Sequence, residues 1–231
     1  MRTLGIVGGL GPESTIEYYR FILDGYRART IDGSAPHLLI DSLDVNLGIA
    51  MLDASDLAGL ADYLSASVER LAQAGAEIAL IAANTPHLVF DEVQRRSPIP
   101  MLSIVQAACD HVRRLGYARV GLLGTGFTMR ARFFPEAFAR AGVELVAPNE
   151  AEQAAIHRIY IGELLENRFL PQSREAILAI IARLLEEERV EAILLAGTEL
   201  PLLLRDARPG TVPLLDTTMI HVGAAVVALV K

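Results

Sequence analysis

The chain has 231 residues, of which 52% are hydrophobic, so it carries enough apolar material for a full core and an extended disordered state is excluded. A formal net charge of −7 and the absence of any lysine/arginine run argue against nucleic acid or an anionic membrane as partner. The single cysteine, Cys109, excludes an internal disulfide and a cysteine-rich zinc site.

In chain order, apolar runs predict strands at Thr3–Val7, Leu38–Ser42, Ile78–Ile81, Val120–Leu123, Glu144–Val146, Ala192–Leu195 and near Pro213–Leu215. Their residues are apolar throughout rather than alternating, the pattern of strands covered on both faces. Amphipathic segments at Ser14–Arg29, Leu57–Ala74, Ser103–Leu115, Ala131–Ala141 and Ser173–Glu187 predict helices, several closed by Gly75, Gly116 or Gly142. Pro12 fits a first helical position with Gly11 as the turn. Strand and helix alternate, which defines an α/β protein with parallel sheets flanked by helices.

The series is doubled. Residues 1–103 with 206–231 form a first predicted lobe and residues 104–205 a second, pseudo-symmetric one, with a cleft expected between them. Pro98-Ile99-Pro100 is the expected first crossing and the Pro209-Gly210 turn the second, after which a strand and helix return to the first lobe. The chain enters TLGIVGG almost at once, and Met219–Val230 is too short to span a membrane, which predicts a cytoplasmic, soluble protein.

Four strands end alike: GIVGGLGPEST at 5–15, IAANTPH at 81–87, GLLGTGFTM at 121–129 and LLAGTELP at 194–201. Ligands of parallel α/β sheets bind beyond the carboxyl ends of the strands. Ser14, Thr15, Asn84, Thr85, Thr125, Thr128 and Thr198 are hydrogen-bonding groups suited to a carboxylate at such ends. His87 reads either as an acid/base group or as a capping or buried histidine, and Glu199 either as a catalytic or as a capping carboxylate. Asp44 is a further acid candidate, and Cys109, beside Val105, Ala108 and Val112, reads as a core residue. Gly9-Leu10-Gly11 with Asp41 suggests a dinucleotide site, but Ser14 stands where the third glycine of that fingerprint belongs.

On GIVGGLGPEST with Tyr18-Tyr19, SLD at 42–44, NTPH, LLGTGFTM, GTELPLLL and DTTMIH at 216–221, the sequence resembles the aspartate/glutamate racemase family nearly end to end. The resemblance implies two pseudo-symmetric lobes, no cofactor or metal, a homodimer, and proton abstraction next to a carboxylate by two cysteines. Those cysteines would precede Asn84-Thr85 and Thr198-Glu199, where this chain has Ala83 and Gly197. Neither side chain carries a proton, so the two-thiol mechanism is excluded as written. Asn46, Leu47 and Gly48 follow SLD without a basic group for a second carboxylate.

Two functions follow. One is a cofactor-independent, isomerase-type enzyme, racemase-like or lyase-like, with His87, Glu199 and Asp44 as the candidate acid/base groups. The other is a non-catalytic carboxylate-binding or regulatory protein of the same fold.

Overall fold

The structure, a computed structural model, describes residues 2–31, 33–207, 209–210 and 212–230. The chain forms two units, Met1–Ala107 with Thr218–Lys231, and Ala108–Thr217.

The first unit runs β1 (Thr3–Gly8), α1 (Pro12–Arg27), β2 (His37–Ser42), α2 (Val45–Asp53), α3 (Leu57–Gln73) and β3 (Ile78–Ile81). A short 3-10 turn, Thr85–Val89, then leads into α4 (Phe90–Arg96), β4 (Met101–Leu102) and the start of α5 (Ile104–Leu115), whose residues from Ala108 on belong to the second unit. Among the described residues its sheet is four-stranded and parallel, in the order β2-β1-β3-β4. Successive residues of β1 serve opposite faces. Leu4 and Ile6 pack with Tyr18 and Ile22 of α1, whereas Val7 packs with Leu60, Leu64 and Val68 of α3. A strand sandwiched in this way must be apolar at every position, which is why TLGIVG does not alternate.

The second unit runs β5 (Arg119–Gly124), α6 (Gly126–Arg130), α7 (Phe133–Ala139), β6 (Glu144–Val146) and α8 (Glu150–Gly162). It continues with α9 (Pro171–Glu187), β7 (Ala192–Ala196), α10 (Leu200–Leu203) and β8 (Leu214–Asp216), before α11 (Thr217–Leu229). Its parallel sheet has the order β6-β5-β7-β8, the same winding as the first. Ile177, Ile181 and Leu184 of α9 lie on one helical face and are fully buried against Ile193 and Leu195 of β7. Each such side chain stabilises the unit by about 1.5–3 kcal/mol relative to exposure.

Three expectations are corrected. The strand after the Pro209-Gly210 turn does not return to the first unit: β8 pairs with β7, and only α11 returns, its Val222, Ala225 and Val226 packing with Leu4 and Ile6. Pro98-Ile99-Pro100 does not leave the first unit either, because Met101 pairs with Ala79 of β3. Finally, β2 is not covered on both faces: it is an edge strand, and Ile40 is 43% exposed. An edge strand has one neighbour and fewer helices over it, so its apolar run is only half buried.

Candidate functional site

In both sheets the chain winds outward from a central pair, β1 with β3 and β5 with β7. A reversal of this kind opens a crevice at the carboxyl ends of the two strands, where no crossover helix covers them. Register places Val7 beside Ile81 and Gly124 beside Ala196. The residues that follow, Gly9 and Ala83-Asn84 in one unit, Thr125 and Gly197-Thr198 in the other, are therefore the ones each crevice presents.

At the β1 end the turn is pinned by Thr15. Its hydroxyl accepts from the Gly9 N–H at 2.9 Å and donates to the Gly11 carbonyl at 3.1 Å. Gly9 has φ +78°, and a Cβ there would collide with the Leu43 carbonyl, so only glycine fits. Pro12 opens α1 as expected. Ser14, on the first turn of that helix, is fully buried.

At the β3 end Asn84 is 2% exposed, and Thr85 beside it is half-buried. His87 is 4% exposed, and its backbone N–H donates to the Asn84 carbonyl at 3.0 Å. Its Nε2 accepts from the Ile104 N–H at 3.2 Å, so Nδ1 carries the proton and donates to the Ala83 carbonyl at 3.0 Å. The ring stacks on Phe90 with centroids 4.8 Å apart. Burial, with the neighbouring His221 second, pushes its pKa down to about 3. As a general base His87 would have to break one of these backbone bonds. His221 of α11 is held in the same way: Tyr18 Oη donates to its Nδ1 at 2.9 Å, and its Nε2–H donates to the Leu102 carbonyl at 3.1 Å. Burial lowers its pKa to about 4. Two neutral histidines thus tie α1, α11 and the β4–α5 junction to the Ala83-Asn84 turn.

In the second unit Thr125 caps α6, its hydroxyl accepting from the Thr128 N–H at 3.1 Å and lying 3.2 Å from the Thr128 hydroxyl. The Gly126 N–H donates to Nδ1 of His157, a residue of α8 that the strand-end motifs did not single out. Past β7 the Thr198 hydroxyl donates to Glu199 Oε2 at 2.9 Å, and the Tyr160 hydroxyl donates to the same oxygen. Glu199 is 2% exposed and Tyr160 4%. Tyr160 also escaped the sequence reading. It stands 39 residues from Glu199 on a helix without a strand-end motif, and no spacing rule joins them.

The other candidates find structural partners. Asp44 caps α2, accepting from the Asn46 N–H at 2.8 Å, and Asp41 pairs with Arg70 at 2.7 Å. Cys109 is buried, with Sγ 3.7 Å from the Ala137 carbonyl, and burial raises its pKa. Among the described residues no group of three or more His, Cys, Asp or Glu side chains is placed to hold a metal ion. No helix among them is long and apolar enough to cross a membrane.

Two parallel four-stranded sheets of identical winding, flanked by helices, match the α/β fold of solved Asp/Glu racemase-type proteins. The chain belongs to the Asp/Glu/Hydantoin racemase family, whose pattern matches residues 7–225. It is 33% identical to an aspartate racemase homologue from Pyrococcus horikoshii OT3, with a TM-score of 0.83 and both chains covered fully. A Yersinia pestis protein, known as a candidate Asp/Glu racemase, superposes with a TM-score of 0.89 at 31% identity, again over 100% of both chains. The broad specificity amino-acid racemase RacX of Bacillus subtilis is 22% identical over 93% of this chain and 92% of its own length.

Proposed function

We propose that this protein is a cofactor-independent, isomerase-type enzyme acting next to the carboxylate of a small, amino-acid-like molecule. The carboxylate-binding candidates are Asn84 and Thr85, supported by Ser14 and Thr15, within the first unit, and Thr125, Thr128 and Thr198 within the second. The observation that carries this reading is the repeated placement of hydroxyl and amide groups at the ends of the central strand pairs, in a chain of this family.

The proton chemistry differs from a two-thiol pair, because positions 83 and 197 offer a methyl group and a hydrogen. Glu199 is the better-supported acid/base group: it is a carboxylate fixed by two hydroxyl donors directly after Thr198. His87, whose two ring nitrogens both serve the backbone, acts by holding the Ala83-Asn84 turn in shape. In keeping with the family, the working form is a cytoplasmic homodimer, which sedimentation of the purified protein would test.

The deciding experiment uses D- and L-aspartate, D- and L-glutamate and small 2-hydroxy acids as probes. Thermal stabilisation by one of them is expected, together with loss of its α-proton NMR signal in D2O, and Glu199→Gln is expected to abolish that loss. If no carboxylate stabilises the fold, the binding reading fails. Stabilisation without exchange would instead assign a ligand-binding role.

A further inference from the structure

Position 197 is glycine for a reason that lies in another element. Its backbone is outside the left-handed region, so conformation alone does not demand glycine there. Space does. A Cβ on Gly197 would stand 2.5 Å from Cε2 of Tyr160 and 3.1 Å from both Cζ and the hydroxyl oxygen. Carbon atoms in contact rest at about 3.5–4.0 Å, so the ring and a side chain at 197 exclude each other.

The ring is not the loose end of a flexible side chain. It is 4% exposed on α8, its hydroxyl donates to the Glu199 carboxylate, and the Glu199 N–H donates back to the phenol oxygen at 3.4 Å. Burial first, and the Glu199 charge second, push the Tyr160 pKa well above its ordinary value and keep the phenol protonated.

We infer that Tyr160 occupies the side-chain volume of position 197 and, locked by Glu199, presents a phenol at the end of β7 where the family resemblance places a thiol. Gly197, Tyr160 and Glu199 are then one coupled replacement rather than three independent residues. A cysteine at 197 would not by itself restore thiol chemistry, because Tyr160 must first be cut back. This coupling does not depend on a carboxylate ligand, so it stands or falls separately from the proposed function.

The test is a pair of double-mutant cycles in the full chain carrying Cys109→Ala, which removes its single native thiol. Gly197→Ala is expected to lower the melting midpoint by roughly 5 °C, as overpacking of a buried site does. In a Tyr160→Leu background the same change should lower it by less than half as much, and in Tyr160→Phe, which keeps the ring, by the full amount. The thiol of Gly197→Cys should react with an aromatic disulfide reagent at least ~10-fold faster when Tyr160→Leu is also present, because removing the ring opens room for the reagent beside position 197. A Gly197→Cys chain that folds only alongside Tyr160→Leu supports the same conclusion. Equal midpoint losses in all three backgrounds, or equal thiol reactivity with and without Tyr160, would overturn it.

Discussion

Mild acid should destabilise the first unit through its two buried histidines. His87 and His221 are neutral in the folded protein, with pKa values lowered to about 3 and about 4 from an ordinary 6.5. Because the folded pKa is depressed, the unfolded chain binds protons that the folded chain refuses. Stability is therefore intact above pH 6.5 and lost as the pH falls below it, until the folded values are reached. At pH 5 each unfolded imidazole lies 1.5 pH units below its ordinary pKa, and at about 1.4 kcal/mol per unit this gives about 2 kcal/mol per histidine. The pair contributes about 4 kcal/mol, a large fraction of the stability of a typical domain. Urea unfolding at pH 8 and pH 5, read by a probe in the first unit, measures this directly. His87→Phe, which keeps the stack on Phe90 but cannot titrate, should be less stable at pH 8 yet lose only half as much on going to pH 5. A parent protein that loses less than ~1 kcal/mol over that range, or a His87→Phe variant with the parent's full pH dependence, would refute the assignment of these rings as neutral ties.

Thr15→Val removes the acceptor for the Gly9 N–H and the donor to the Gly11 carbonyl at nearly constant volume, and should destabilise by about 1–3 kcal/mol in chemical denaturation. Gly9→Ala forces a side chain against the Leu43 carbonyl at φ +78° and should reduce stability at least as much, visible as a lower melting midpoint. Asn84→Ala should leave the midpoint within a few degrees but weaken carboxylate affinity by roughly tenfold or more, the value of one hydrogen bond to a charged group, read by calorimetric titration. An unchanged affinity would remove Asn84 from the binding set.

How far the sequence could be read follows from which signals are local. The central strands β3 and β7 announce themselves because both of their faces are buried, and IALI and AILLA are short, continuously apolar runs of strand length. The two-residue β4 carries too little pattern to be seen, and its place in the first sheet depends on pairing with Ala79, 22 residues earlier. Helix α8 carries a weak amphipathic signal because its apolar residues are sparse at the start. Its local signal is N-x-x-E, since Asn149 and Glu152 form a capping box, each side chain bonding the other's backbone N–H.

The site divides along the same line. Strand-end threonines and Asn84 are visible because the motif and the strand are contiguous, and the lack of a proton-carrying group at 83 and 197 is visible because it needs only a resemblance and two letters. What the residues at those places do instead depends on contacts far apart in sequence. The loop at Ala83 is fixed by a histidine whose other partner is Ile104, and by a second histidine at 221 that faces it with centroids 6.4 Å apart. The space at Gly197 is filled by a ring from residue 160. A glycine read alone suggests flexibility or loss, whereas one pressed by a tethered tyrosine is half of a packed pair. Changing either half without the other should damage the fold before it alters any chemistry.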